Sequence, residues 1–206
     1  MENKWTDSPV AIFLGHLGDL LALNMLCLLC SIPVITIGAS VSAMYSVLFK
    51  QRRDPTCPTI RTFFASFKDN FLPATAIEGI ILVLGVLCWG DAKYALSVEG
   101  NQKTIFLVVA TIIGMVALLL FTLGLPQVAN FKNSVKKYVV NSFALAMCAP
   151  GWLVLIWLLW GAVIALPFCF FEFVMTYLGI LYFLFGLSFP AFVTTIILSK
   201  VFERFE

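Results

Sequence analysis

Six apolar runs, each approaching the length of a bilayer span, follow one another through this chain with short polar breaks. They are Val10 to Ser31, Val34 to Phe49, Leu72 to Gly90, Thr104 to Leu125, Ser142 to Leu166 and Phe168 to Leu198. A helix needs about 20 apolar residues to cross the hydrocarbon core. Composition agrees: 61% of the residues are hydrophobic and 12% charged, against about 25% charged in an ordinary soluble domain. The expected fold is therefore all-α, a polytopic transmembrane helical bundle forming a single integral membrane domain over residues 1–206, with six spans as the first reading and five as the alternative.

The choice between six and five turns on the first two runs. Together they hold about 40 residues, or ~60 Å of helix, twice the hydrocarbon thickness. Pro33 lacks an amide donor and crowds the preceding turn, and Thr36, Gly38, Ala39 and Ser40 suit a break. A helical hairpin broken between Pro33 and Gly38 is expected. The alternative lays Ala39 to Phe49 on the membrane surface.

Basic residues set the expected orientation. Lys50, Arg52, Arg53, Arg61 and Lys68 fall in one polar segment, Lys132, Lys136 and Lys137 in another, and Lys200 and Arg204 in the tail. Lys93 and Lys103 lie in the segment between the third and fourth runs, and no basic residue lies between Pro167 and Glu172. Cytoplasmic loops are enriched in Lys and Arg, so the first three regions and the C-terminus are expected inside. No small-residue cleavage site follows the first apolar run, so it is expected to stay in the mature protein.

Two basic segments carry aromatic faces. Between Pro58 and Pro73, Phe63, Phe64, Phe67 and Phe71 share a helical face, with Thr59 as the expected N-cap and Pro73 opening the next span. In the second, Phe131, Val135, Tyr138 and Val139 share a face and Lys132, Lys136 and Lys137 point elsewhere. Both are expected as interfacial helices that contact anionic lipid headgroups or a protein partner.

Ionisable groups in a bilayer are costly and prompt functional hypotheses. His16 and Asp19 stand three apart on the first helix, Glu78 begins the third run, and Glu172 is expected in an outer connection. His16, Asp19, Asn24 and Glu78 form the candidate intramembrane polar site; the plainer reading is that they make local polar contacts. Asn24, Thr36 and Ser40 are expected in interhelical hydrogen bonds, and Gly38 and Ala39 in close helix packing. The six cysteines lie mostly in apolar runs and indicate no disulfide framework, and Cys27 and Cys30 read as small core residues.

Catalytic signatures are missing: there is one histidine, no H-E-x-x-H, no G-x-S-x-G, no P-loop and no acidic metal cluster. The expectation is a non-enzyme without cofactor, and a net charge of +2 gives no reason to expect nucleic acid.

The string Gly18-Asp19-Leu20-Leu21-Ala22-Leu23-Asn24, followed by Leu28 to Ala39 with Ser31-Ile32-Pro33-Val34-Ile35-Thr36-Ile37-Gly38-Ala39, resembles the N-terminal signature of the YesL family (DUF624), bacterial membrane proteins. Phe63 to Phe71 with Ala74-Thr75 resembles that family's first basic loop, and Phe131 to Ala146 its second. Asn130 and Lys132 stand where the family tends to have an arginine and an acidic residue, so no salt bridge is carried over there. The family has no assigned activity, and its members tend to accompany carbohydrate ABC importers. The resemblance implies a non-catalytic accessory subunit or modulator that contacts permease or ATPase subunits. A small independent transporter or channel for a solute or protons is the alternative.

Overall fold

The computed structural model describes the backbone of residues 9–203, and within it the side chains of residues 9–12, Phe173 and Met175 are left aside. Arg204 in the basic tail lies outside the described residues. Eight helices carry the architecture: α1 (Pro9–Cys30), α2 (Ile37–Arg53), α3 (Thr59–Ala95), α4 (Asn101–Asn130), α5 (Val135–Cys148), α6 (Pro150–Cys169), α7 (Gly179–Phe185) and α8 (Ser188–Phe202). No strand occurs among the described residues.

The expected break at Pro33 is present. α1 ends at Cys30, a 3₁₀ turn spans Val34–Thr36, and α2 begins at Ile37. The Thr36 hydroxyl lies 2.6 Å from Cys30 O and 2.7 Å from Pro33 O, covering carbonyls that the interrupted helix leaves without partners. The tip of this hairpin is apolar and open: Ile32, Val34 and Ile35 are all exposed.

α2 differs from every other helix in its surroundings. Eleven of its 17 residues are buried, whereas only Leu153 and Ile156 are buried among the 20 of α6. Gly, Ala and Ser on α2 let neighbouring backbones approach, and α1, α3, α4 and α8 all pack on it. Among the described residues, four helices are long and apolar enough to cross a membrane: Phe13–Cys30, Thr59–Ala95, Asn101–Asn130 and Pro150–Cys169. The bent pair Thr176–Phe185 and Ser188–Phe202 makes a fifth candidate. α2, the second apolar run, is not among them, because it is short and ends in Lys50, Arg52 and Arg53.

Three boundaries depart from the sequence expectation. α3 is one continuous helix of 37 residues with Pro73 inside it, ~55 Å long at 1.5 Å per residue. Pro73 therefore interrupts a hydrogen bond without ending the helix, and the expectation that it opens a new helix is overturned. The run Ser142 to Leu166 is split at Ala149, where Pro150 opens α6. The run Phe168 to Leu198 is bent by 54° between its two halves.

α4 contains a π-helical turn at Leu120–Gly124. Pro126 has no N–H for the carbonyl of Thr122 and its ring crowds that turn, which accounts for the wider winding. The Thr122 hydroxyl meanwhile donates to Leu118 O at 2.8 Å, and Trp157 Nε1 on α6 donates to Thr122 Oγ1 at 3.2 Å. α3 and α4 form a hairpin whose loop turns at Gly100, φ 69°, a conformation glycine adopts without Cβ strain.

Candidate functional site

Two rows of residues spaced four apart meet in antiparallel order: Gly38, Ser42, Ser46 and Lys50 on α2, and Ser66, Asn70, Ala74 and Glu78 on α3. A spacing of four keeps each row on one helix face. At one end Lys50 Nζ donates to Ser66 Oγ at 3.3 Å. In the middle Asn70 Nδ2 donates to Ser46 Oγ at 3.2 Å and Ser42 Oγ at 3.3 Å, and Ser46 Oγ donates to Ala129 O on α4 at 2.8 Å. At the far end Glu78 Oε2 accepts the Gly38 N–H at 3.0 Å. A Cβ on Gly38 would stand 2.9 Å from both Ala74 O and Glu78 Cβ, so only glycine allows this approach.

Glu78 thus meets one of the amide donors that the start of α2 leaves without an intrahelical partner. Asn24 does the same elsewhere. Its Oδ1 accepts the N–H groups of Leu187 and Ser188 at 2.9 and 3.0 Å, and its Nδ2 donates to Phe183 O at 2.8 Å. One buried carboxamide bridges the break between α7 and α8. Asp19 accepts a hydrogen bond from Thr59 Oγ1 at the first residue of α3, and Thr59 Oγ1 in turn accepts from Gln51 Nε2 at 2.8 Å. The helix N-cap is Pro58, and no side chain caps it. Thr59 therefore bonds across to α1 and α2 instead of capping its own helix.

The four residues of the candidate polar site are consequently not brought together. Asp19, Asn24 and Glu78 each serve the start of a different helix. His16 is exposed and lines a 250 Å³ cavity with Gln51, Arg52 and Thr195, and no hydrogen bond or ion pair joins it to Asp19 among the described residues. Thr36 and Ser40 bond locally, to Cys30 O and Pro33 O and to Thr36 O respectively, not between helices as expected. Glu172 is exposed in the connection after α6.

At the basic end the aromatic faces turn largely toward protein. Phe63 is fully buried, and Phe63, Phe67 and Phe71 follow one another with ring centroids 6.3 and 5.8 Å apart. Only Phe64 of the four predicted rings is exposed. The face expected against lipid is a packing face at Phe63, because α2 lies along it. In the second segment Tyr138 is buried, donating to Phe131 O at 2.7 Å and accepting from the Asn133 N–H at 2.9 Å. Lys132, Lys136 and Lys137 are exposed. Phe131 precedes α5 and sets its ring edge-on to Phe202, 5.1 Å away.

Beside these, Arg53 Nη2 donates to Asn130 Oδ1 at 2.9 Å, and Gln127 Nε2 donates to Ser142 Oγ at 2.9 Å. In the loop between α2 and α3, the Thr56 hydroxyl and N–H donate to Asp54 Oδ1 at 2.7 and 3.0 Å and hold that carboxyl below its ordinary value. The α2–α3 seam was not anticipated, although the four-residue spacing of small and polar residues was present to be read; Asn24 makes interhelical hydrogen bonds as expected, with partners at the α7–α8 break that the sequence did not name.

Residues 20–92 match the family model described as "Protein of unknown function, DUF624". The match bears out the resemblance read from Ser31 to Ala39 and from the first basic loop. It covers the second half of α1, all of α2 and most of α3, so both rows of the seam, Glu78 included, fall inside the matched residues. Phe131 to Ala146 lies beyond it. No curated protein and no solved structure matches the chain.

Proposed function

We propose that this is a non-catalytic, multi-pass protein of the bacterial plasma membrane, with its basic end and C-terminus in the cytoplasm, acting as an accessory subunit or modulator of a carbohydrate ABC importer. The observation that carries a non-catalytic, packing-based role is the dispersal of Asp19, Asn24 and Glu78 to three helix starts. Polar groups so engaged hold broken helices together and leave no shared intramembrane site. The importer partnership rests on the family resemblance. The basic end offers the surface for it: Lys136 and Lys137 stand exposed on α5 and Lys132 in the loop before it, two residues from Asn130, which Arg53 bonds.

Orientation follows from the same end. His16 and Asp19 stand beside Gln51, Arg52 and Thr59, so α1 starts near the basic end and α2 returns to it. The apolar tip at Ile32 to Ile35 then belongs in lipid, and the start of α1 belongs on the cytoplasmic side. Single cysteines at Asn133 and at Ser97 should react from opposite faces of sealed vesicles.

Purification from native membranes is the decisive experiment. A permease or ATPase subunit is expected to co-purify; repeated isolation of this chain alone would overturn the accessory role. The independent transporter draws support from one observation, the buried carboxyl of Glu78. It requires flux in liposomes that Glu78→Gln abolishes, and flux unchanged in that variant removes it.

A further inference from the structure

Two cavities adjoin at Phe202 on the basic end. The first, about 360 Å³, lies among Gln127, Phe131, Asn133, Asn141, Leu145 and Phe202. The second, about 280 Å³, lies among Phe49, Arg52, Arg53, Asn130, Ser199 and Glu203. Together they fall in the size range of small-molecule sites, roughly 300 to 1,000 Å³. We propose that this cleft binds a phosphate ester whose other half is a neutral, hydroxylated group, with the phosphate at Arg52 and Arg53 and the hydroxyls in the amide-lined half.

The two halves differ in chemistry. The second cavity has the guanidinium pair, and Arg recognises phosphate through parallel N–H donors. The last turns of α2 and α8 carry Lys50, Arg52, Arg53 and Lys200, opposed in the cavity by Glu203, so the end stays positive despite the partial negative charge of the helix C-termini. Arg53 is oriented by Asn130, which leaves its remaining donors free to point elsewhere.

Among the described residues, no ionisable side chain lines the first cavity. Its lining includes the three carboxamides of Gln127, Asn133 and Asn141, the edge-on pair Phe131 and Phe202, and the apolar Leu145. The side chains of Asn133 and Asn141 make no hydrogen bond to protein among the described residues, so each offers both a donor and an acceptor. Carboxamides beside an aromatic face suit hydroxyls and the C–H groups between them, while a second charge on the ligand would find no counter-ion there. The proposal does not depend on the importer partnership, since it uses only groups of this chain.

Phosphate esters of this kind occur as lipid headgroups and as free solutes, and two experiments on the full-length protein separate them. Nanodiscs of equal phosphatidylcholine and phosphatidylglycerol, analysed by native mass spectrometry, report whether phosphatidylglycerol is enriched on the protein. Titration of phosphatidylcholine nanodiscs with glycerol 3-phosphate by calorimetry reports binding of the free ester. Enrichment assigns a lipid, and calorimetric binding assigns a solute; either supports the cleft, provided Arg52→Gln with Arg53→Gln weakens it at least about tenfold. Asn141→Ala, an exposed position, should weaken either by a few-fold with thermal unfolding unchanged. No preference in either experiment, or equal binding by the arginine variant, overturns the proposal.

Discussion

Asn24 can be tested by removing a single side chain whose partners are all known. Replacing Asn24 by Leu keeps the volume close and deletes three hydrogen bonds, to the N–H groups of Leu187 and Ser188 and to Phe183 O. The site is 1% exposed, so water does not readily replace them. Hydrogen bonds between helices in membranes average ~0.6 kcal/mol and reach ~1.7 kcal/mol. Three of them give an expected loss of about 2 to 5 kcal/mol. Reversible unfolding in mixed micelles, followed by tryptophan fluorescence, measures it. Ser188→Ala supplies the control at the same place, because Ser188 Oγ is the buried side-chain atom left without a hydrogen-bond partner among the described residues. Removing it should be neutral or stabilising by up to about 1 kcal/mol. A loss below about 0.5 kcal/mol for Asn24→Leu, or a loss for Ser188→Ala as large as that for Asn24→Leu, would refute the bridging role.

Gly38→Ala should destabilise by about 1 to 3 kcal/mol, since its Cβ meets backbone at Ala74 O; the same unfolding assay reads it. Glu78→Gln retains an acceptor for the Gly38 N–H and should cost less than Glu78→Leu, and equal losses would mean that this hydrogen bond is not what matters there. Asp54 has a depressed pKa when folded, so its stabilising hydrogen bonds are present above its unfolded value and are lost as pH falls through the lower folded one. Exchange of the Thr56 amide should accelerate only below the ordinary aspartate range near 3.8, and Asp54→Ala should remove that pH dependence.

The helical class and the hairpin break were legible because each rests on local chemistry: the apolar runs for the one, the missing N–H of Pro33 for the other. Pro73 shows why such signals do not always decide. The same residue type occurs within a continuous helix there, because α2 and α4 hold the turns on either side of it. Ser42 and Ser46 set no face apart on α2 taken alone; their order appears only against Asn70, a residue of another helix. The candidate polar site failed for a related reason. Asp19, Asn24 and Glu78 share a chemical class and a membrane setting, but their partners are helix starts scattered through the chain, and sequence spacing does not reveal which helix start each will meet.

The antiparallel seam also orders events during synthesis. α2 emerges from the ribosome before the residues that pair with it: when Lys50 has been made, Ser66, Asn70 and Glu78 have not. Through that interval the Gly38 amide and the Ser42 hydroxyl have no partner on α3, and a helix this polar gains little from lipid on its own. α1 precedes it and shares the Pro33 turn, so the two can pair before α3 is complete. The arrival of Glu78, forty residues after Gly38, completes the seam, and α2 becomes the centre of the protein once α4 and α8 have followed.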